Sequence, residues 1–152
     1  MSFASDVRKF NKRLKGKSEQ VIRGTTLELF KKIVYRTPVG NPEKWKPYPS
    51  GKPRKPPKNY RGGTLRGAWQ VESGRPGTRK TDIDKSGDAT IAKNRGKIMR
   101  APIGKPLYIT NNMPYAMAIE FGHSWYNAPA GMVRVSIAEF ARIVSKEAKK
   151  AR

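Results

Sequence analysis

Residues 74–81 are the stretch that most resembles a motif with chemistry, because they combine glycines, a lysine and a threonine at nearly the spacing of a phosphate-binding loop. In such a loop the backbone amides approach the phosphate, so glycine is needed where Arg79 stands, and Pro76 removes one amide donor. The residues that follow read as a turn instead of opening a helix. We therefore expect no nucleotide site and no cofactor.

Carboxylates and histidine could form other kinds of site. Asp82, Asp84 and Asp88 are spaced like the start of a calcium loop, but such a loop ends in a glutamate where Lys93 stands. We interpret the three acids as a turn that balances nearby cations. The single histidine, His123, and the absence of cysteine exclude paired-histidine and thiolate metal sites. We expect no metal site and no enzymatic activity.

The charge balance points to nucleic acid or acidic protein as a partner. The 152 residues hold 33 Lys and Arg against 11 Asp and Glu, a formal net charge of +22. A charge of this size opposes compaction and favours contact with polyanions. The length fits a single domain, residues 1–152, and no apolar run is long enough to cross a membrane. We expect a protein of the cytosol, or of a particle assembled there.

Two helices are expected at the ends of the chain. Over about residues 5–36 apolar residues recur at steps of three and four, and Pro38 ends the pattern because the residue before a proline avoids helical dihedrals. Gly16 favours a bend, and the apolar stripe of so long a helix is expected to cover a sheet. The last helix is expected over about residues 131–148, with an apolar stripe of Val133, Ile137, Phe140, Ala141 and Val144.

Three short strands are expected between the helices, at residues 68–73, 89–92 and 106–111, from alternation or from β-branched and aromatic content. A short helix follows, with Asn112 as its cap, Pro114 in its first turn and Gly122 at its end. This order predicts an α+β fold, in which the long N-terminal helix and the C-terminal helix pack on a small, mainly antiparallel sheet.

Two extended basic loops, residues 39–63 and 75–88, interrupt this order. The first is rich in proline and glycine, carries no acid after Glu43, and offers Trp45 and Tyr48 as contact area. Loops of this length are usually functional or disordered. The candidates for contact with DNA or a partner are Lys52, Arg54, Lys55, Lys58, Arg61, Arg79 and Lys80.

Four blocks of the sequence together resemble a known family. They are residues 37–40 (TPVG), 63–69 (GTLRGAW), 112–122 (NMPYAMAIEFG) and 128–134 (APAGMVR). These blocks look like the signature of the tail-completion proteins of long-tailed phages, also described as head–tail joining, neck or minor tail proteins. The resemblance runs from the first helix to the last, and it implies a structural component of a virion.

The resemblance also implies partners and an assembly. The expected assembly is a hexameric ring that completes the tail and joins it to the head connector, with DNA passing through its channel. Its neighbours would be a head-connector or head-completion protein and the tail tube protein. Its location would be the virion tail or neck, with the host cytoplasm as the place of assembly. The long 39–63 loop departs from the family pattern, which has only a few residues there.

Aromatic residues surround the end of the short helix. We expect Tyr115 and Phe121 in the core, whereas Trp125 suits a contact with another protein as well as it suits packing. Glu120 is interpreted as the acceptor of a structural hydrogen bond or as half of an ion pair between subunits. The expected subunit-interface residues are Tyr115, Glu120, Trp125, Tyr126, Pro129 and Met132.

Other functions stay open at this point. A basic protein that binds nucleic acid would explain the charge. Its binding would be without sequence preference, because the sequence has no recognition helix, zinc finger or RNA-binding strand signature. Such a protein would be a monomer or dimer, indifferent to phage partners. A nuclease would need clustered carboxylates, which the sequence does not offer.

Overall fold

A computed structural model describes residues 3–79, 82–123, 128 and 130–152. Its first element, α1, runs unbroken from Phe3 to Arg36. The helix is not interrupted at Gly16, and nothing lies within 4 Å of the place where a Cβ of this residue would stand. The helix ends where the sequence predicts, and the Thr37 hydroxyl donates to the Ile33 carbonyl across the last turn at 2.7 Å.

Only the second half of α1 is packed into the core. Its side chains Leu27, Phe30, Ile33 and Val34 are buried, and α1 contacts three later helices, which lie at residues 88–100, 133–138 and 140–150. The expectation that the whole apolar stripe covers a sheet is wrong. Val7, Phe10 and Leu14 in the first half are exposed, because the sheet is too small to reach them.

The described residues form a two-stranded antiparallel sheet. Strand β1, Trp69–Ser73, pairs with β2, Leu107–Asn111, in a register that places Trp69 opposite Asn111 and Ser73 opposite Leu107. Both strands lie where the sequence predicts them. A one-turn helix, α2 (Thr64–Gly67), leads into β1, and a short 3₁₀ turn, Pro42–Lys44, lies in the first basic loop.

The third predicted strand is wrong, because residues 89–92 belong to helix α3, Asp88–Arg100. Its buried residues Ile91, Asn94 and Ile98 recur at helical spacing, and α3 packs on β1 and α1. Ile98 of this helix is in the core, whereas Met99 and, beyond the helix, Ile103 are exposed.

The C-terminal part of the chain differs in detail from the expected helices. Pro114 precedes the short helix α4, Ala116–Ala118, whose N-cap is Tyr115, so the proline is not in its first turn. A π turn, Ile119–His123, follows, and the backbone leaves helical dihedrals inside it, at Phe121 and at Gly122, whose φ is +95°.

The last helix is two helices, α5 (Val133–Ala138) and α6 (Phe140–Lys150), which meet at Glu139. Helix α6 runs antiparallel along α1 and buries Ile143 and Glu147 there. Ile137, Phe140 and Ala141 of the expected apolar stripe are exposed instead.

The fold class is therefore α+β, as predicted. The core is a single cluster in which Phe30 of α1, Trp69 and Val71 of β1, Ile98 of α3 and Met132 meet. Among the described residues, no helix combines the length and the apolar character needed to span a membrane.

Candidate functional site

The first two family-like blocks meet at Thr37. The indole Nε1 of Trp69 donates to the Thr37 hydroxyl at 2.7 Å, and both side chains are buried. Because the same hydroxyl donates to Ile33, it links the end of α1 to the start of β1. A serine or threonine here, after the last helical turn, is needed for both bonds.

Arg66 extends this link to a third element. Its guanidinium donates to the Thr37 carbonyl from Nε and Nη2, at 3.0 and 2.7 Å, and to the Tyr35 carbonyl at 3.2 Å. Its other nitrogen, Nη1, donates to the Lys85 carbonyl at 2.6 Å. The forked cation therefore binds carbonyls at the C-terminal end of α1, where the helix dipole favours positive charge, and carbonyls of the turn before α3.

Two glycines of the second block are required by close approach. Gly63 has a φ of +99° and lies against the Asp84 backbone, and a Cβ at Gly67 would stand 2.1 Å from the Asp82 carbonyl oxygen. No side chain can be accommodated against backbone at that distance. The block thus brings residues 82–84 onto α2.

The third and fourth blocks are joined by Glu120. Its carboxylate accepts hydrogen bonds from three successive backbone amides, Met132 at 2.7 Å, Val133 at 2.9 Å and Arg134 at 2.9 Å. These amides form the first turn of α5, which has no intrahelical acceptor for them. Glu120 is only 8% exposed, so the interpretation as a structural hydrogen-bond acceptor is confirmed.

The hydrogen-bond donors around Glu120 favour its ionised carboxylate. Burial raises the pKa of this carboxyl, but the backbone bonds from Arg134, Val133 and Met132 outweigh burial and hold the pKa below its usual value. The Arg134 side chain adds a bond from Nη2 to the Glu120 carbonyl at 2.6 Å. Gly131, at φ +87°, lets the chain turn against Glu120.

A cleft of about 430 Å³ opens where three of the four blocks come together. Its walls include Thr37 and Val39 from the first block, Arg66 from the second, and Ala128 and Gly131 from the fourth. Residues that are distant in sequence therefore line one concave surface.

Asp84 fixes the start of α3. Its carboxylate accepts from the Gly87 and Thr90 amides and from the Thr90 hydroxyl, each at 2.8 Å, and from the Ser86 hydroxyl at 3.1 Å. The other two acids of the turn also bind locally, Asp82 to Lys93 and Asp88 to Tyr35. Within the described part of the chain, no group of three His, Cys, Asp or Glu side chains is placed to hold a metal.

We expect stability to fall in acid through Asp84. Burial raises the pKa of Asp84, but its bonds from Thr90, Gly87 and Ser86 outweigh burial and lower the pKa from 3.8 to about 2. A lowered folded-state pKa stabilises the fold above the unfolded pKa, and this contribution, about 2 kcal/mol, disappears as the pH falls towards 2.

Urea unfolding of the wild type and of Asp84→Asn, repeated from neutral to acid pH, measures that contribution. The wild type should lose more of its free energy of unfolding than the variant over this pH range. Equal losses would show that Asp84 contributes no acid sensitivity.

The first basic loop is an exposed projection closed at its base. A Cβ at Gly62 would stand 2.4 Å from the Gly40 carbonyl oxygen, so the two ends of the loop touch. Trp45 and Tyr60 stack edge to face at 5.1 Å between ring centres. The loop cations Lys52, Arg54, Lys55, Lys58 and Arg61 are exposed, and Arg54 lies over the Tyr48 ring at 4.9 Å.

The other predicted contact residues are placed differently. Arg79 forms a 3.9 Å ion pair with Glu72, so its charge is partly neutralised within the chain. Met132 is buried in the chain's own core and presents no surface to a second subunit. Lys80, Trp125, Tyr126 and Pro129 lie outside the described residues.

The expectation that Tyr115 and Phe121 lie in the core is wrong. Phe121 is 65% exposed with the Arg134 guanidinium over its ring at 4.8 Å, and Tyr115 is also exposed. The neighbouring Ala116 and Ile119 pack against the core in their place. Both aromatic rings are therefore presented to solvent at the third block.

Sequence reasoning missed the roles of Arg66 and Asn94. Asn94 is buried, donates to the Trp69 carbonyl at 3.3 Å and accepts from the Val71 amide at 2.9 Å, so its side-chain amide pairs with the outer edge of β1. An asparagine at the helical spacing of Ile91 and Ile98 was the available signal, because a polar residue on a buried helix face needs partners.

Comparisons of this chain with protein-family models, with curated proteins and with solved structures gave no match.

Proposed function

We propose that this protein is a structural component of a phage neck, a ring that completes the tail and joins it to the head connector while DNA passes through its channel. The observation that carries the proposal is that the four family-like blocks contact one another. Thr37 bonds Trp69 and Arg66, Glu120 bonds the amides of Met132 to Arg134, and three blocks share one cleft. Residues that resemble a family pattern are thus those that hold this fold together.

The role proposed is mechanical and not catalytic. The buried carboxylates Asp84 and Glu120 accept bonds from backbone amides, and Glu139 pairs with Lys32 and Arg36 of α1. Carboxylates that accept backbone hydrogen bonds or form ion pairs in this way hold helices in position. Their arrangement supports the proposal that the chain is a structural protein.

The outer edge of β2 offers a means of subunit contact. Because the Val71 amide points to Asn94, the Val71–Ile109 pair exchanges no ladder bonds, and the Ile109 amide and carbonyl face away from β1. No other described residue hydrogen-bonds to them. An unpaired strand edge is a template for pairing with another chain, and head-to-tail contacts of one kind close into rings.

The proposal is tested on virions and on neck complexes purified from infected cells. Electron microscopy should show this chain as a closed ring, most simply sixfold, and mass spectrometry should find it in multiple copies per virion. Its absence from virions, or a single copy per particle, would overturn the proposal. Light scattering on the purified protein, with and without a neck or tail-tube partner, separates templated assembly from spontaneous assembly.

The edge contact has its own test. Ile109→Pro removes an amide that faces outward, which an edge strand tolerates, and it replaces a side chain that packs against the core. The variant should therefore fold with reduced stability but fail to join the ring. Tyr108→Pro is the control, because that residue lies in the ladder with Glu72 and its substitution should unfold the sheet. A ring that forms normally with Ile109→Pro would exclude β2 as the contact.

A second candidate function is supported by the charge of the first loop. A basic accessory protein that binds nucleic acid without sequence preference would use exposed lysines and arginines, such as those of residues 44–61, where no acid occurs. Its binding should weaken steeply as the salt concentration rises.

We expect that neutralising Lys52, Arg54, Lys55 and Lys58 to glutamine leaves the free energy of unfolding within about 0.5 kcal/mol, because these are exposed loop residues. DNA retention should fall, with a shallower salt dependence. The matched control neutralises four exposed cations elsewhere, Arg95, Arg142, Lys146 and Lys149. A large drop in Tm for the loop variant alone would mean that the loop belongs to the core.

A further inference from the structure

The first part of α1 extends past the rest of the described fold. Helix α6 runs back along α1 only as far as Lys17, whose Nζ donates to the Arg152 carbonyl at 3.2 Å. Residues 3–16, which we call the arm, lie beyond that point and are nearly all exposed. At 1.5 Å per residue the arm is about 20 Å long.

The arm carries an exposed apolar line. Phe3, Val7, Phe10 and Leu14 follow one another at steps of four, three and four residues, and Phe3 and Phe10 are 84% and 58% exposed. At 100° per residue the four side chains fall within an arc of about 60°, as in the seam of a coiled coil. Exposed aromatic rings arranged in a line mark a surface that another molecule covers.

The rest of the arm is strongly basic. Residues 3–16 hold five Lys and Arg against one acid, Asp6. Arg13 and Lys15 stand on the two flanks of the seam, about 90° and 110° from its centre, and Lys12 lies on the far side. The second half of the seam therefore has cations on both flanks, whereas Asp6 stands on one flank of its first half, about 70° from the centre.

We propose that the arm binds, as a helix in a groove, to a different protein whose apolar groove has acidic rims. The apolar seam enters the groove, and the flanking cations reach the carboxylates of the rims. This inference rests on the exposure and charge of the arm and not on the ring, so the two proposals can fail separately.

Three other occupants fit the arm less well. A second copy would bring two basic arms of a +22 protein together, which the repulsion between their charges opposes. A membrane surface needs a broad apolar face, wider than this narrow seam. DNA would bind the cations but leave two phenylalanine rings in water.

The test uses the purified full-length protein and a synthetic helical-hairpin peptide whose two helices leave a leucine-lined groove with glutamates along both rims. A matched peptide has lysines on the rims. Fluorescence anisotropy of the labelled peptide gives the Kd at low and high salt. We expect binding to the acidic peptide only, weakening as salt rises, because screening reduces the attraction of the rims.

Single substitutions then locate the contact. Phe10→Ala should weaken binding about thirtyfold or more, as removal of a buried aromatic anchor does, whereas Lys12→Ala on the far side should change Kd by about twofold at most. Circular dichroism and Tm should be the same for both variants, since residues 10 and 12 are exposed.

The contradicting outcomes are equally definite. Equal binding of the lysine-rimmed peptide, no binding of either peptide, or binding that is insensitive to Phe10→Ala overturns the proposal. So does self-association that rises with salt and disappears with Phe10→Ala, which would assign the arm to a second copy. Phe10-dependent binding to vesicles of phosphatidylcholine and phosphatidylserine would assign it to a membrane surface.

Discussion

Replacing Glu120 with alanine is expected to lower the free energy of unfolding by about 3–5 kcal/mol, a large part of the stability of a domain this size. The buried carboxylate accepts bonds from three amides of the first turn of α5. Without it, these amides are left without an acceptor in a place from which water is largely excluded, and the link between the third and fourth blocks is lost. Urea unfolding followed by circular dichroism measures the change.

Two variants and a pH series check the cause. Glu120→Gln keeps the size but places an NH₂ group against amide donors, so it should recover only part of the loss. Glu43→Ala, in an exposed loop, should stay within about 0.5 kcal/mol of the wild type. Because the folded-state pKa of Glu120 is lowered, its contribution is present above the unfolded pKa and is lost as pH falls through the folded value. A Glu120→Ala protein as stable as the wild type would exclude the linking role.

The elements that the sequence predicts correctly are those with local signals. Pro38 ends α1 where the backbone of the preceding residue cannot stay helical. The pattern of residues 106–111 predicts β2, since β-branched and aromatic side chains suit a pleated, half-buried surface. Neither assignment depends on distant parts of the chain.

The start of α3 could not be predicted in this way. Residues 89–92, Ala-Thr-Ile-Ala, have no strong preference between helix and strand. The choice is made by Asp84, which binds the amides of Gly87 and Thr90, and by Asn94, which fills the outer edge of β1. Both contacts depend on tertiary structure.

The direction in which α6 faces also depends on distant contacts. The apolar stripe read from the sequence predicts that Phe140 and Val144 are buried, yet Ile143 and Glu147 are the residues that pack on α1. Gly24 permits this approach, because a Cβ there would stand 2.4 Å from a carboxylate oxygen of Glu147. Gly24 is thus a packing position of α1.

Replacing Arg66 with methionine is expected to cost about 3 kcal/mol of unfolding free energy. The methionine keeps most of the side-chain volume but removes every bond from the guanidinium to the carbonyls of Tyr35, Thr37 and Lys85. A bond from a charged group contributes about 1.5–3 kcal/mol net, and the bonds to Tyr35 and Lys85 are exposed to water, so the total stays near the value of one or two such bonds. Arg66→Lys should lose nearly as much, because a single ammonium cannot reach both sets of carbonyls from one position.

Hydrogen exchange distinguishes this effect from a general loss of stability. Arg66 is expected to hold the turn before α3 against the end of α1. In Arg66→Met the amides of Gly87 and Thr90 should therefore exchange faster by more than the fall in the free energy of global unfolding explains. The amides of β2 should exchange faster only by the amount that this fall explains. Arg61→Met, an exposed cation of the basic loop, is the matched control and should alter neither stability nor exchange. Uniform acceleration across α3 and β2 would show that Arg66 contributes to overall stability without joining these two elements.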